Sequence, residues 1–270
     1  MGNETRLAIL QSLFDAEEWR MSYSQLMDGV GIRDSGKFNF HLSKLVGPFV
    51  RKIEEGYELK HAGVQIIGAI LSGTYHGERS LGPVELGSAC RQCDGSLIAV
   101  YEGGFASIEC EDCRAVVTRD GVPPGIFEGV EAPEMPTVFG RWLRHRYTQL
   151  VDEGFCLICA GRTDRSLGTP EHEAIGGLGV ELRCRRCGMR FTAGLGSLVL
   201  GHPAVVSFYR EQGIDLRRVP LWELAWINGE TADTVAEGGG TNLVIVVGDQ
   251  RLDIHLSPEL TVDSATILPR

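Results

Sequence analysis

Eight cysteines occur in the 270-residue chain, and every one belongs to a C-x-x-C pair: Cys90/Cys93, Cys110/Cys113, Cys156/Cys159 and Cys184/Cys187. Sixteen residues separate Cys93 from Cys110, and 24 separate Cys159 from Cys184. Two such pairs at this spacing present four thiolates to one tetrahedral ion, and four soft sulfurs suit Zn²⁺. The spacing therefore predicts two structural zinc sites. Pairing is expected within each unit, because the loops to be closed are shorter than those joining the units. Glycine follows three of the pairs closely (Gly95, Gly161 and Gly188), which permits a tight turn with backbone N–H groups near sulfur. The intervening segments LIAVYE, ASIEC, VELRC and RFTAG are strand-like. Disulfides are disfavoured by the lack of a secretory leader pattern in MGNETRLAIL, and a redox pair needs only one motif.

Charge separates the chain into regions. The 36 acids and 26 bases give −10 overall, and only four bases are lysines, Lys37, Lys44, Lys52 and Lys60. That acid excess with few lysines fits proteins from salt-loving archaea, and equally a GC-rich genome. Residues 33–52 run against the trend: Arg33, Lys37, Lys44, Arg51 and Lys52 face Asp34 alone, a net of +4. With no apolar run near the ~20 residues that span a bilayer, the expectation is a cytoplasmic protein with no membrane partner.

Residues 1–75 read as helix, short helix, capped helix, hairpin, helix. Asn3 or Gly2 can start a first helix carrying Leu7, Ile9, Leu10, Leu13 and Phe14. MSYSQLMDGVG gives a short second helix begun by Ser22 or Ser24. RDSGKFNFHLSKLV gives a third, capped by Asp34 or Ser35, with Phe38, Leu42 and Leu45 inward and Lys37, Asn39, Phe40, Ser43 and Lys44 outward, His41 lying nearer the flank. FVRKIEEGYEL is expected to form two strands around Glu54-Glu55-Gly56, and a last helix to run from about Lys60 to Ser72. This order describes a winged helix-turn-helix, whose third helix enters a major groove of double-stranded DNA. Lys37 and Lys44 suit phosphate or guanine, Asn39 adenine, and Phe40 a thymine methyl. Ser35, Ser43 and His41 complete the contact face, while Arg51 and Lys52 on the wing suit phosphates. Glu54 and Glu55 would repel phosphate at the wing tip.

The segments GNETRLAIL, GIRDSGKFNFHLSKLVG and EEGYELKHAGVQIIGAILSGTY resemble haloarchaeal ArsR-like winged-helix regulators over residues 1–75, and more loosely over a C-terminal cysteine-pair domain. The resemblance implies a homodimeric transcriptional regulator that binds DNA through Lys37, Asn39, Phe40 and His41. Metal sensors of that family place C-x-C in the third helix, whereas no cysteine precedes Cys90 here.

The expected architecture is α+β: a winged helix-turn-helix at 1–75, a linker at 76–87, a first zinc-ribbon-like unit at 88–134, a helix with a second ribbon at 135–200, and a C-terminal helix and β-hairpin region at 201–270. The hairpin is expected to turn at Gly248-Asp249, with Gly238–Gly240 in a loop. The helix near 135–154 carries Trp142, Leu143, Tyr147 and Leu150 on one stripe, with Arg141, Arg144, His145 and Arg146 on a second contact face or a packing surface. Arg183, Arg185, Arg186 and Arg190 at the last knuckle pose the same choice. The ribbons would extend the dimer or answer an effector ligand. A ribbon adaptor for RNA or for transcription or ribosomal proteins is the alternative. Enzyme chemistry is not expected, since His41, His61, His76, His145, His172, His202 and His255 are scattered and Glu171-His172-Glu173 lacks a metal-binding spacing. GIRDSGKF matches G-x-x-x-x-G-K but places Phe38 where a Mg²⁺-binding hydroxyl belongs.

Overall fold

The computed structural model describes residues 4–75, 79–168, 178–228, 231–234 and 240–269. The chain is α+β and divides into two compact units, one of residues 1–78 with 123–128, the other of 79–122 with 129–270. Among the described residues no helix is long and apolar enough to cross a membrane.

In the first unit α1 (Glu4–Asp15) buries Ile9, Leu10 and Leu13. A short strand β1 (Arg20–Met21) leads into α2 (Tyr23–Gly29), where Ser22 caps the helix and Gln25 reciprocates in a capping box. Two otherwise unpaired N–H groups are satisfied this way, which defines the helix start. Helix α3 (Ser35–Ser43) begins at Asp34, whose carboxylate accepts from the Lys37 N–H at 3.0 Å. β2 (Val50–Ile53) and β3 (Gly56–Leu59) form an antiparallel hairpin, and β1 pairs with β3 to give the order β1-β3-β2. α4 (His61–Leu71) follows. The four helices and the hairpin meet in one core, where Leu26, Phe38, Leu42, Leu45, Val50, Leu59 and Ile67 join the α1 residues. Tyr23 packs edge-on against Phe38 at 5.3 Å.

The remote segment 123–128 was expected in the first ribbon but clusters with this unit instead. The Gly125 N–H donates to the Ser72 carbonyl at 2.9 Å, and Pro124 lies where a Cβ on Gly73 would touch it.

In the second unit β4 (Leu81–Ala89), β5 (Ser96–Glu102), β6 (Phe105–Cys110) and β7 (Val116–Gly121) form an antiparallel sheet in sequence order. The expected linker at 76–87 is thus mostly strand; His76 and its two neighbours lie outside the described residues. Gly82, Pro83 and Gly87 disguise β4, and an edge strand tolerates them because one row of its backbone groups has no partner strand.

α5 (Met135–Tyr147) runs on into a wider turn at Thr148–Asp152. β8 (Thr163–Gly168), β9 (Gly179–Cys184) and β10 (Arg190–Gly194) make a sheet of order β10-β9-β8. Glu171, His172 and Glu173 fall outside the described residues. α6 (Pro203–Glu211) starts at His202, whose Nδ1 accepts from the Ala204 N–H. Trp222 and Trp226 are buried, and the Trp226 indole donates to the Tyr209 hydroxyl at 2.8 Å.

The expected C-terminal hairpin is present as β12 (Thr241–Val247) and β13 (Gln250–Leu256), flanked by β11 (Ala232–Thr234) and β14 (Val262–Pro269) in a four-stranded sheet. Of the glycine run expected in a loop, Gly238 and Gly239 lie outside the described residues.

Candidate functional sites

Each cysteine pair sits on a knuckle with the same backbone pattern. The first cysteine donates its N–H to the carbonyl five residues on (Gly95, Ala115, Gly161, Met189) and accepts from the N–H four residues on (Asp94, Arg114, Ala160, Gly188). That fourth residue is left-handed in all four knuckles, with φ of 58°, 62°, 54° and 75°. Only Gly188 supplies this conformation from a glycine; Asp94, Arg114 and Ala160 hold it at a cost of about 1–2 kcal/mol each.

Gly95 and Gly161, expected to provide the turn, are needed for space instead. A Cβ at Gly161 would lie 2.8 Å from Arg186 Cβ and 3.2 Å from Cys184 Sγ. At Gly95 it would meet the Asp112 carboxylate, a side chain that can swing aside. Gly161→Ala is therefore expected to lower metal retention at the second site far more than Gly95→Ala does at the first. Metal content after dialysis against a weak chelator checks this.

The knuckles meet in sequential units. Cys90, Cys93, Cys110 and Cys113 form one cluster and Cys156, Cys159, Cys184 and Cys187 the other, with all sulfurs of a cluster within 4.8 Å of one another. Sulfur–sulfur distances are 3.8 and 3.5 Å in the first and 3.7 and 3.5 Å in the second. Four thiolates at metal–sulfur bonds of about 2.3 Å in a tetrahedron lie about 3.8 Å apart, so the donor sets fit. Backbone N–H groups reach the sulfurs: Gln92 donates to Cys90 at 3.4 Å, Ile158 to Cys156 at 3.4 Å and Arg186 to Cys184 at 3.3 Å. Donation from Cys113 and then Asp112 lowers the Cys110 thiol to about 7, and donation from Cys187 and Arg186 lowers Cys184 to about 6. Cys93 and Cys187, which share protons with those sulfurs, are instead pushed up to about 12, so in each cluster one thiolate forms more readily than its neighbour.

In the first unit, α3 turns Phe38 and Leu42 into the core and leaves Phe40 61% exposed. Ser35, Lys37, Asn39, Ser43 and Lys44 are exposed on the same outer side. The Lys44 ammonium lies 5.7 Å from the Phe40 ring centre. Ser43 donates to the Phe40 carbonyl within the helix. His41 differs from expectation. At 8% exposure it is buried, standing edge-on to Phe40 at 5.3 Å, so it supports the face from below and offers little of its ring to a partner.

On the hairpin Lys52 is exposed, but Arg51 is already committed. Its guanidinium pairs with Glu58 on β3, which also takes Arg20 at 3.3 Å. The bond from Arg51 holds the Glu58 carboxyl below its usual range. The G-x-x-x-x-G-K segment enters from helix α2 rather than from a strand, so it lacks the setting of a phosphate-binding loop.

Of the expected α5 face, Arg144 and Arg146 serve packing, while Arg141 and His145 are exposed. Arg144 donates to the carbonyls of Leu216 at 2.9 Å and Val219 at 3.0 Å. Arg146 bonds Asp120 at 3.2 Å, beside the Trp142 indole on the same carboxylate. A cleft of about 160 Å³ opens here between β7, α5 and β10, with Leu143, Tyr147 and Phe191 in its lining.

A family model described as Domain of unknown function (DUF7351) matches residues 87–262, and a second, Domain of unknown function (DUF7347), matches residues 1–70. No curated protein and no solved structure matches the chain. The first span contains both four-cysteine clusters, and the second takes in the helices and hairpin up to α4.

Proposed function

The chain belongs to the DUF7351 family through residues 87–262, and from that premise we propose that this part is a zinc-braced body attached to a DNA-binding unit, the whole acting as a sequence-specific transcriptional regulator. Zinc is the metal we assign to both clusters. Four thiolates at these spacings suit a d¹⁰ ion without geometric preference, and a site closed by four protein ligands leaves no position for a substrate. Its contribution is then structural.

One observation carries the DNA reading. A large aromatic, Phe40, stands 61% exposed in the middle of a helix whose opposite face is fully buried, flanked by Lys37, Asn39 and Lys44. A single exposed apolar side chain is ordinary by itself; what marks Phe40 is that Lys37, Asn39 and Lys44 stand exposed on the same helix around it. The neighbours supply hydrogen-bonding and positive groups suited to base edges and phosphates. Short helix, capped helix and hairpin in this order suit a winged helix-turn-helix of the ArsR-like kind, with α3 as the recognition helix. Two copies would associate through α1 and α4 and set their α3 helices one DNA turn apart. On this reading Ser35, Lys37, Asn39, Phe40, Ser43, Lys44 and Lys52 touch DNA, and His41 and Arg51 position them.

The decisive experiment is selection of genomic fragments by the zinc-loaded full chain at high salt. Enrichment of one or a few promoter fragments is expected; recovery of RNA or protein instead would turn the assignment toward the adaptor reading. Asn39→Ala should narrow the gap between the selected and random duplexes by about 1–3 kcal/mol. Lys52→Ala should weaken both alike and make the salt dependence shallower by about one ion. Equal losses from the two variants would remove Asn39 from base readout.

A further inference from the structure

The two ribbons share one knuckle geometry yet carry opposite charge. The first, residues 79–122, has four arginines against seven acids, a net of −3. The second, residues 155–194, has six arginines against four acids, Asp164, Glu171, Glu173 and Glu181, a net of +2. The contrast is sharpest at equivalent positions. Cys110 and Cys113 enclose Glu111 and Asp112, whereas Cys184 and Cys187 enclose Arg185 and Arg186.

A cluster of four thiolates around a divalent ion carries a net charge of −2, which nearby arginines would offset. Yet the first ribbon assembles the same four-sulfur set with two carboxylates in those places. Neutralising the cluster therefore does not account for the arginines of the second.

Their placement points outward. Arg183, Arg185, Arg186 and Arg190 are all exposed. Arg183 on β9 stands directly opposite Arg190 on β10, so two like charges face each other across the sheet. Such a pair is destabilising unless an anion lies between. The available carboxylates only partly answer it. Asp164, in register with Arg183, bonds Arg185 instead, and Glu181 reaches Arg190 at 3.8 Å. Ile158 and Met189, 62% and 43% exposed on the adjoining knuckles, add apolar surface. The ribbon's own aromatics, Phe155 and Phe191, are half-buried, and Arg162 lies 4.5 Å over the Phe155 ring. Without an exposed ring, the surface lacks the stacking platform that grips unpaired bases.

We propose that the outer face of the second ribbon, carried by Arg183, Arg186 and Arg190, is a contact for the phosphodiester backbone of duplex DNA. It reads no sequence and would add to the α3 contact. In that respect the inference rests on the DNA-binding reading given above, although it concerns a separate surface.

The test uses the zinc-loaded full chain and a random-sequence 20-base-pair duplex, titrated by fluorescence anisotropy over a range of salt. Arg183→Gln/Arg186→Gln should weaken binding and make the log–log salt slope shallower by about 1.8, two released counterions. Arg183→Lys/Arg186→Lys should restore most of the slope, since a phosphate contact tolerates lysine. Zinc content unchanged from wild type certifies that the ribbon is intact in each variant. The Lys37→Ala/Asn39→Ala/Lys44→Ala variant separates the two sites. Residual binding that still depends on Arg183 and Arg186 supports the ribbon contact even if fragment selection finds no operator. Wild-type binding to the duplex with a slope indifferent to the ribbon substitutions overturns this inference and leaves the α3 reading standing. Absence of random-duplex binding by the wild type overturns the ribbon contact, while the α3 reading is decided by the fragment selection. Arginine-dependent capture of polyglutamate, with duplex binding unaffected, overturns the contact in favour of an acidic protein partner.

Discussion

Replacing Cys110 by Ser will halve the metal content, and full chelation will unfold the second unit while leaving the first folded. Structural tetrathiolate zinc sites contribute on the order of 10–16 kcal/mol to folding, which exceeds the roughly 5–15 kcal/mol net stability of a typical domain. The ribbon sheets are small, and β4–β7 and β8–β10 each converge on one cluster through their knuckles. The first unit contains no cysteine and has its own core around Ile9, Leu13, Phe38 and Ile67. Tryptophan placement makes the difference measurable. Trp142, Trp222 and Trp226 lie in the second unit, the last two buried, whereas Trp19 of the first is already 43% exposed. Chelation should therefore shift emission strongly to the red while helical circular dichroism from α1–α4 persists. Retention of buried tryptophan emission after complete metal loss would show that the apolar packing around Phe139, Phe208 and Leu243 suffices without the ions.

Phe38→Ala and Phe40→Ala, two residues apart on α3, should have opposite consequences. Phe38 is fully buried and touches Tyr23 edge-on, so truncation costs about 3–5 kcal/mol through lost burial and a cavity. Thermal unfolding of the first unit should fall by many degrees. Phe40→Ala should leave that transition within about 0.5 kcal/mol, as surface substitutions usually do. Its effect belongs to binding, where the selected duplex should lose affinity and random DNA little. Marked destabilisation by Phe40→Ala would mean that the ring serves packing, and the case for a recognition helix would lose its main support.

The N-terminal unit was largely legible because its signals are local. Ser22 and Asp34 precede apolar periodicity by the spacing that a cap requires, and Glu54-Glu55-Gly56 separates two strand-like runs. His41 was placed less well. It falls one residue from Phe40 and three from Phe38, near the boundary of the apolar stripe, and packing drew it inward. Arg51 looked available because its partner Glu58 lies across the hairpin, where only strand register brings the two together. β4 and β14 were hidden because edge strands need neither continuous apolar alternation nor a full set of paired N–H groups.

Cysteine spacing alone determined that two four-sulfur clusters would form and which residues would build them, since ligand chemistry and loop closure depend on the order of residues along the chain. Capping residues and helical periodicity likewise determined where α3 starts and that Phe38 and Leu42 face inward and Phe40 outward, leaving His41 at the boundary to tertiary packing. Only the tertiary structure decided that Asp94, Arg114 and Ala160 carry the left-handed turns while Gly95 and Gly161 make room for neighbouring side chains. It also decided that residues 123–128 return to the first unit and that Arg183 confronts Arg190. Those outcomes depend on which atoms approach from distant segments, and such proximity is a property of the packed chain rather than of any stretch of sequence.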